Sequence, residues 1–136
     1  MLTFSHISLS VGDLDVQRRF YAAAFDLDQV DSQVDLPNAR LVVLRSAIGL
    51  KLELVQREGS EQRTFPNAIA AASQQGYFAW AFTVDDLDVA FARALAAGAT
   101  PVSPPANARR PGIRYAYLKD PEGNLFELLQ QQKELP

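Results

Sequence analysis

The chain has 136 residues, with 13 Lys and Arg against 16 Asp and Glu and a formal net charge of −3. This length suits one domain or two half-size modules with a shared core, and the mild acidity argues against a general nucleic-acid binder, which needs a concentrated basic surface. Cysteine is absent and histidine occurs once, which excludes thiolate zinc sites, cysteine nucleophiles and any mechanism that needs two imidazoles from one chain. No signal peptide precedes the first strand and no run of ~18 apolar residues occurs, so we expect a cytoplasmic protein without a membrane span.

The first half of the chain predicts a β-α-β-β-β order of elements. Apolar and polar residues alternate through Leu2–Val11, a period typical of a strand with one buried face. Asp13 is a suitable N-cap for the helix that follows, because its carboxylate can accept a hydrogen bond from the first turn. Three further short strands are predicted at Gln29–Val34, Arg40–Arg45 and Leu50–Gln56.

A link between two halves is predicted at residues 57–76. This segment is polar at first and then rich in alanine. Asn67 can cap a short helix within it, and Gly76 can end that helix.

The second half repeats the first. The segment Val84–Val89 matches Val11–Val16, and it lies between a strand pattern at Tyr77–Val84 and a helical pattern that begins at Leu87 and ends before Gly98. Strands are predicted afterwards at Thr100–Ser103, Ile113–Lys119 and Leu125–Gln131.

Two connections in the second half differ in character. The segment Pro104–Gly112 is so rich in Pro and Gly that we expect an irregular loop there. Asp120–Asn124 is predicted as a tight turn with Gly123 in the left-handed position.

The whole chain, 1–136, is then predicted to be a single α+β domain. We expect its two βαβββ modules, 1–56 and 77–136, to form one curved mixed β-sheet with the helices on its convex side.

Strand alternation places three side chains that can coordinate a metal ion on the face away from the helices. These are His6, Glu53 and Glu127. An imidazole and two carboxylates suit a divalent cation. The same pattern is also typical of a strand face that simply meets water, and periodicity alone leaves both interpretations open.

A second set of polar residues lies in the predicted loop Pro104–Gly112 and in the strand Ile113–Lys119 that follows it. Arg109 and Arg110 can clamp a carboxylate or phosphate, or can be charges of a solvated loop. Tyr115 and Tyr117 share one face of their strand, where they can donate hydrogen bonds or pack on a ring.

Six short segments form a set that spans nearly the whole chain. They are His6–Leu14 (HISLSVGDL), Phe20-Tyr21, Leu52-Glu53-Leu54, Phe82–Leu87 (FTVDDL), Asp120–Asn124 (DPEGN) and Phe126-Glu127-Leu128. In this order, and with the duplication, they resemble the vicinal oxygen chelate superfamily, which includes glyoxalase I, extradiol dioxygenases and bleomycin-resistance proteins. The resemblance implies the fold more specifically than it implies the reaction.

In metal-dependent members of that superfamily, four strand positions can bind the ion. His6, Glu53 and Glu127 match three of them, and the fourth falls on Ala79, which lies five residues before Val84 as His6 lies five before Val11. Alanine cannot coordinate an ion, which weakens the comparison with an ordinary glyoxalase I site. A dioxygenase site built from two histidines of one chain is disfavoured by the histidine count.

The resemblance therefore implies two alternatives for a ligand-binding groove. In the first, His6, Glu53 and Glu127 hold a divalent ion (Zn, Ni, Co, Mn or Fe), and Glu53 and Glu127 take part in lyase or isomerase chemistry of the glyoxalase type. In the second, the protein is a metal-free small-molecule binder of the antibiotic-resistance type, without catalysis. We expect a homodimer, since the family often pairs modules across chains. The residues expected to contact the ligand are Ala79, Arg109, Arg110, Tyr115 and Tyr117.

Overall fold

The structure, a computed structural model, describes residues 1–132. The chain divides into two compact units, Met1–Gln62 and a second unit that begins at Arg63. Among the described residues, no helix has the length and apolar character needed to cross a membrane.

The first unit is one four-stranded sheet with a helix packed against one face. Its strands lie in the order β1-β4-β3-β2, with β1 and β4 parallel and the other pairs antiparallel. The buried residues alternate along β3 and β4, so that Val42, Leu44, Leu52 and Leu54 face the helix. The elements are β1 (Ile7–Ser10), α1 (Leu14–Phe25), β2 (Gln29–Leu36), β3 (Ala39–Arg45) and β4 (Lys51–Arg57).

The second unit repeats this arrangement after a short helix. Its sheet has the order β5-β8-β7-β6, with β5 and β8 parallel, and α3 covers the face on which Leu118, Phe126 and Leu128 are buried. The predicted α+β class with two βαβββ modules is confirmed, while the joining of the two sheets into one curved sheet stays a prediction. The elements are α2 (Ala68–Ala72), β5 (Ala79–Thr83), α3 (Leu87–Ala97), β6 (Thr100–Asn107), β7 (Ile113–Lys119) and β8 (Leu125–Gln131).

Both long helices begin with the same pair of hydrogen bonds. Asp13 caps α1 by accepting from the Val16 amide at 3.1 Å, and the side chain of Gln56, at the end of β4, accepts from the Leu14 amide at 2.8 Å. Free amides at a helix start need such acceptors. These bonds fix the start of α1 to the last strand of its own sheet.

The second module reproduces these bonds at α3. Asp86 accepts from the Val89 amide at 3.0 Å, and Gln130 in β8 accepts from the Leu87 amide at 2.8 Å. A surface ion pair is repeated as well, Arg40 with Asp15 at 3.6 Å and Arg114 with Asp88 at 3.1 Å. Hydrogen bonding to Arg114 lowers the pKa of Asp88. The internal duplication seen in the sequence is therefore a duplication of specific contacts.

The turn between β7 and β8 sets the register of the strands that follow. Asp120 is buried, and its Oδ1 accepts from the amides of Glu122 and Asn124 at 2.9 and 3.0 Å. Gly123 has φ +88°, the left-handed conformation predicted for it. Ser46 plays the corresponding part in the first module, where its Oγ accepts from the Leu50 amide at 3.1 Å.

The sequence prediction is wrong for the first part of Pro104–Gly112, because β6 continues to Asn107. Proline is tolerated there since β6 is an edge strand, whose outward amides need no partner in the sheet. The pairing of β6 with β7 is irregular, with register shifts between Pro101 and Ser103 and between Ser103 and Ala106. The helix α2 begins after its predicted cap, Asn67, but ends at Ala72, before Gly76.

The glutamine bonds predict a measurable loss of stability. Gln130→Ala leaves the part-buried Leu87 amide without its acceptor and is expected to lower the free energy of unfolding by about 1–3 kcal/mol. Gln130→Glu keeps an acceptor at the helix start and should lose much less. Urea denaturation measures both, with the exposed neighbour Gln131→Ala as control, for which we expect a change within ~0.5 kcal/mol. Equal stability of Gln130→Ala and this control would contradict the assigned role.

Candidate functional site

The second unit has a cavity on the face of its sheet that points away from α3. Its volume is about 380 Å³, near the lower end of the ~300–1,000 Å³ typical of ligand pockets. Its lining residues come from β7, β8 and the loop before β7: Ala108, Arg109, Arg110, Ile113, Tyr115, Tyr117, Glu127 and Leu129. Five of the residues singled out in the sequence, Arg109, Arg110, Tyr115, Tyr117 and Glu127, thus meet at one place.

Strand register orders these side chains along the cavity. Tyr117 lies opposite Glu127, Tyr115 opposite Leu129, and Ile113 opposite Gln131. The arginine loop joins the Ile113 end of β7, where the Ala108 amide donates to the Ile113 carbonyl at 2.8 Å. Glu127 and Tyr117 therefore lie at one end of the cavity, and the loop that carries Arg109 and Arg110 joins the other end.

Tyr117 and Glu127 lie opposite each other on neighbouring strands, and both side chains line the cavity. Burial raises the pKa of Tyr117, and the negative charge of Glu127 and neighbouring Tyr115 raise it further. Tyr115 packs edge-on against Tyr117, with ring centroids 6.0 Å apart and an interplanar angle of 77°. The neutral phenol can therefore serve as a hydrogen-bond donor at the Glu127 end of the cavity.

Three arginines outside this loop are paired with acidic side chains. Arg40, Arg45 and Arg114 each form an ion pair with an aspartate. Within residues 1–132, Arg109 and Arg110 are exposed and have no acidic partner. Their charges are available to an anion that enters the cavity.

The first unit carries the other two predicted metal ligands. Glu53 is half-buried and accepts a hydrogen bond from Ser8 Oγ at 3.0 Å, since the two residues lie opposite each other in the parallel pair of β1 and β4. His6 is exposed and lies just before β1, with its Nδ1 2.9 Å from Ser5 Oγ. The hydrogen bond from Ser8 to Glu53 was not predicted from the sequence, although strand alternation places both side chains on the same face.

The repeat arithmetic that singled out Ala79 agrees with the strand pairing. Ala81 lies opposite Glu127 as Ser8 lies opposite Glu53, and the Val84 amide donates to the Leu129 carbonyl as Val11 donates to Val55. Ala79, two residues before Ala81, is therefore the counterpart of His6. It is exposed, and its methyl group offers no electron pair to an ion.

The predicted metal ligands divide between the units, with His6 and Glu53 in the first and Glu127 in the second. Within either unit, over residues 1–132, no three His, Asp or Glu side chains are grouped closely enough to hold an ion. Imidazole and carboxylate donors fit a borderline or hard divalent cation in kind. Neither unit alone supplies the three ligands of a catalytic zinc site, and the full set stays a prediction.

Comparison with known proteins places these features in a family. A family model described as glyoxalase-like domain matches residues 6–129. A search of the curated proteins found no significant relative.

Solved structures share the fold at low sequence identity. A glyoxylase/bleomycin resistance protein/dioxygenase domain from Frankia sp. EAN1pec has a TM-score of 0.77 and 22% identity, and the match covers 99% of this chain and 96% of that one. A glyoxalase family protein from Bacillus cereus has a TM-score of 0.75 and 19% identity, covering 98% and 96%. Glyoxalase I from Zea mays has a TM-score of 0.69 and 22% identity, covering 95% of this chain and 44% of the maize protein.

The contact between Tyr117 and Glu127 predicts a titration result. Glu127→Gln removes a negative charge beside the phenol, so the pKa of Tyr117 is expected to fall in this variant. The ring signals of ¹³C-tyrosine-labelled protein report the pKa, and Tyr117→Phe identifies the relevant signal by its loss. A pKa unchanged by Glu127→Gln would show that the two side chains do not touch.

Proposed function

Because the chain belongs to the glyoxalase-like domain family, we propose that it binds a small organic anion in the cavity of its second unit. The observation that carries this proposal is the meeting of two exposed guanidinium groups, which have no acidic partner among residues 1–132, with an aromatic and apolar wall in one cavity. Pockets for small ligands combine such apolar walls with a few placed polar groups. Among polar groups, guanidinium is suited to carboxylates and phosphates, which it can bind through two parallel hydrogen bonds.

Benzoate is a simple probe of this proposal, because it combines a carboxylate with one ring. Replacing Arg109 and Arg110 together by Ala is expected to weaken benzoate binding by ~1.5–3 kcal/mol for each charged hydrogen bond lost, which is about tenfold to 150-fold. Titration calorimetry measures the affinities.

The matched control for this prediction replaces Arg19 and Arg93 by Ala. Both are exposed and lie on helices, so the control changes net charge equally without touching the cavity. If both double variants lost the same amount of benzoate affinity, the loss would come from the change in net charge and not from contacts in the cavity. Absence of benzoate binding to the unaltered protein would refute the proposal for carboxylates.

A second candidate function is metal-assisted lyase or isomerase chemistry, and it is favoured by the placement of the two glutamates. Glu53 and Glu127 occupy the same position in the last strand of each module, and each has a hydroxyl beside it: Ser8 donates to Glu53, and Tyr117 lies opposite Glu127. Hydrogen bonds from such hydroxyls orient a carboxylate for an ion or a proton. His6, Glu53 and Glu127 would hold a divalent cation, which supplies Lewis acidity toward a substrate carbonyl when bound.

Zinc titration of three proteins tests this second candidate. If the unaltered protein binds Zn²⁺ through His6, Glu53 and Glu127, Glu127→Gln removes a charged ligand and should weaken binding sharply. Ala79→His adds an imidazole at the counterpart of His6 and should tighten it.

Calorimetry with Zn²⁺ on the unaltered protein, Glu127→Gln and Ala79→His distinguishes the alternatives. Zinc binding by Ala79→His but not by the unaltered protein would indicate that the native protein binds its organic ligand without a metal ion, since alanine occupies the fourth ligand position. No binding by any of the three would show that these residues do not converge, and the metal candidate would be wrong.

A further inference from the structure

The two ends of the second-unit cavity have opposite chemistry. Arg109 and Arg110 lie in the loop between β6 and β7, at the Ile113 end, while Glu127 lies opposite Tyr117, four residues further along β7. At ~3.3 Å per residue this separation corresponds to about 13 Å of strand. The cavity thus presents positive charge at one end and a carboxylate at the other.

The carboxylate end retains capacity for a ligand. Tyr117 lies opposite Glu127 and can take one position of its carboxylate, whereas a carboxylate has about four acceptor positions. Across β5 and β8, the residue opposite Glu127 is Ala81, which has no polar side chain to compete. Its counterpart in the first unit, Glu53, is instead bonded to Ser8.

The wall between the two ends is apolar and aromatic. Tyr115 and Leu129 lie opposite each other between the Glu127 level and the loop, and Tyr115 and Tyr117 pack edge to face. This wall suits a flat apolar body, and the cavity volume of about 380 Å³ can accommodate a small molecule.

We propose that the cavity selects bipolar ligands: small molecules with a carboxylate or similar anion at one end, a flat apolar body, and an ammonium or other strong hydrogen-bond donor at the other. The anion binds Arg109 and Arg110, the body packs on Tyr115 and Leu129, and the donor binds Glu127. This inference rests on the proposed function, since it specifies the ligand class of the same cavity. It adds that Glu127 determines specificity through its charge.

Three probes of matched size separate the elements of this proposal. 4-(Aminomethyl)benzoate carries both charged ends, 4-methylbenzoate carries the anion alone, and 4-methylbenzylamine carries the ammonium alone. The unaltered protein is expected to bind 4-(aminomethyl)benzoate at least about tenfold more tightly than either of the others, because only this probe forms charged hydrogen bonds at both ends.

Two variants identify the residue responsible. Glu127→Gln preserves size but removes the charge, and it should bring the affinities for 4-(aminomethyl)benzoate and 4-methylbenzoate close together, with 4-methylbenzoate bound at least as well as before. The exposed Glu61→Gln removes the same charge outside the cavity and should preserve the preference. Calorimetry or ligand-observed NMR measures these affinities.

The outcomes separate this inference from the function on which it rests. Equal affinity of the unaltered protein for 4-(aminomethyl)benzoate and 4-methylbenzoate would overturn the bipolar class while leaving anion binding intact. A preference that survives Glu127→Gln would overturn the role of Glu127. Failure of the unaltered protein to bind any of the three probes would overturn both the inference and the proposed function.

Discussion

In each module the first strand pairs in parallel with the last, and this pairing determines where every other element lies. A parallel pair cannot be closed by a hairpin, so the chain has to cross over one face of the sheet, and it does so as a helix. The glutamine at the end of the last strand then binds the first amide of that helix, at 2.8 Å in both modules. One face is thereby covered, and the other is left for polar side chains.

The two modules share this framework but use the uncovered face differently. In the first, Glu53 is bonded to Ser8, and Asp31 bridges Lys51 and Arg45 at 3.3 and 3.5 Å, so that charges satisfy one another. In the second, Ala79 and Ala81 replace the polar residues of the first strand, and Glu127 has Tyr117 beside it. The two modules thus share one scaffold, and side chains on the uncovered face of the second module line a cavity.

The fold could be predicted from the sequence because alternation and capping are local signals that survive duplication. The burial of Leu52, Leu54, Phe126 and Leu128 follows directly from period two. The end of β6 could not be predicted, because prolines in a sequence indicate a loop unless the strand is known to lie at the edge of its sheet. Assembly of the cavity also depended on long-range register: the pairing of Tyr117 with Glu127 is set by the turn at Asp120, not by either residue alone.

The proposed function depends most on ligand binding at the uncovered face of the second sheet. Amide ¹H–¹⁵N correlation spectra recorded during a benzoate titration test it residue by residue. We expect the largest shifts at residues 108–117 and 127–129, which border the cavity, with little change along α1 or α3. Shifts confined to the first unit or to the helices, or no shifts at all, would contradict this placement.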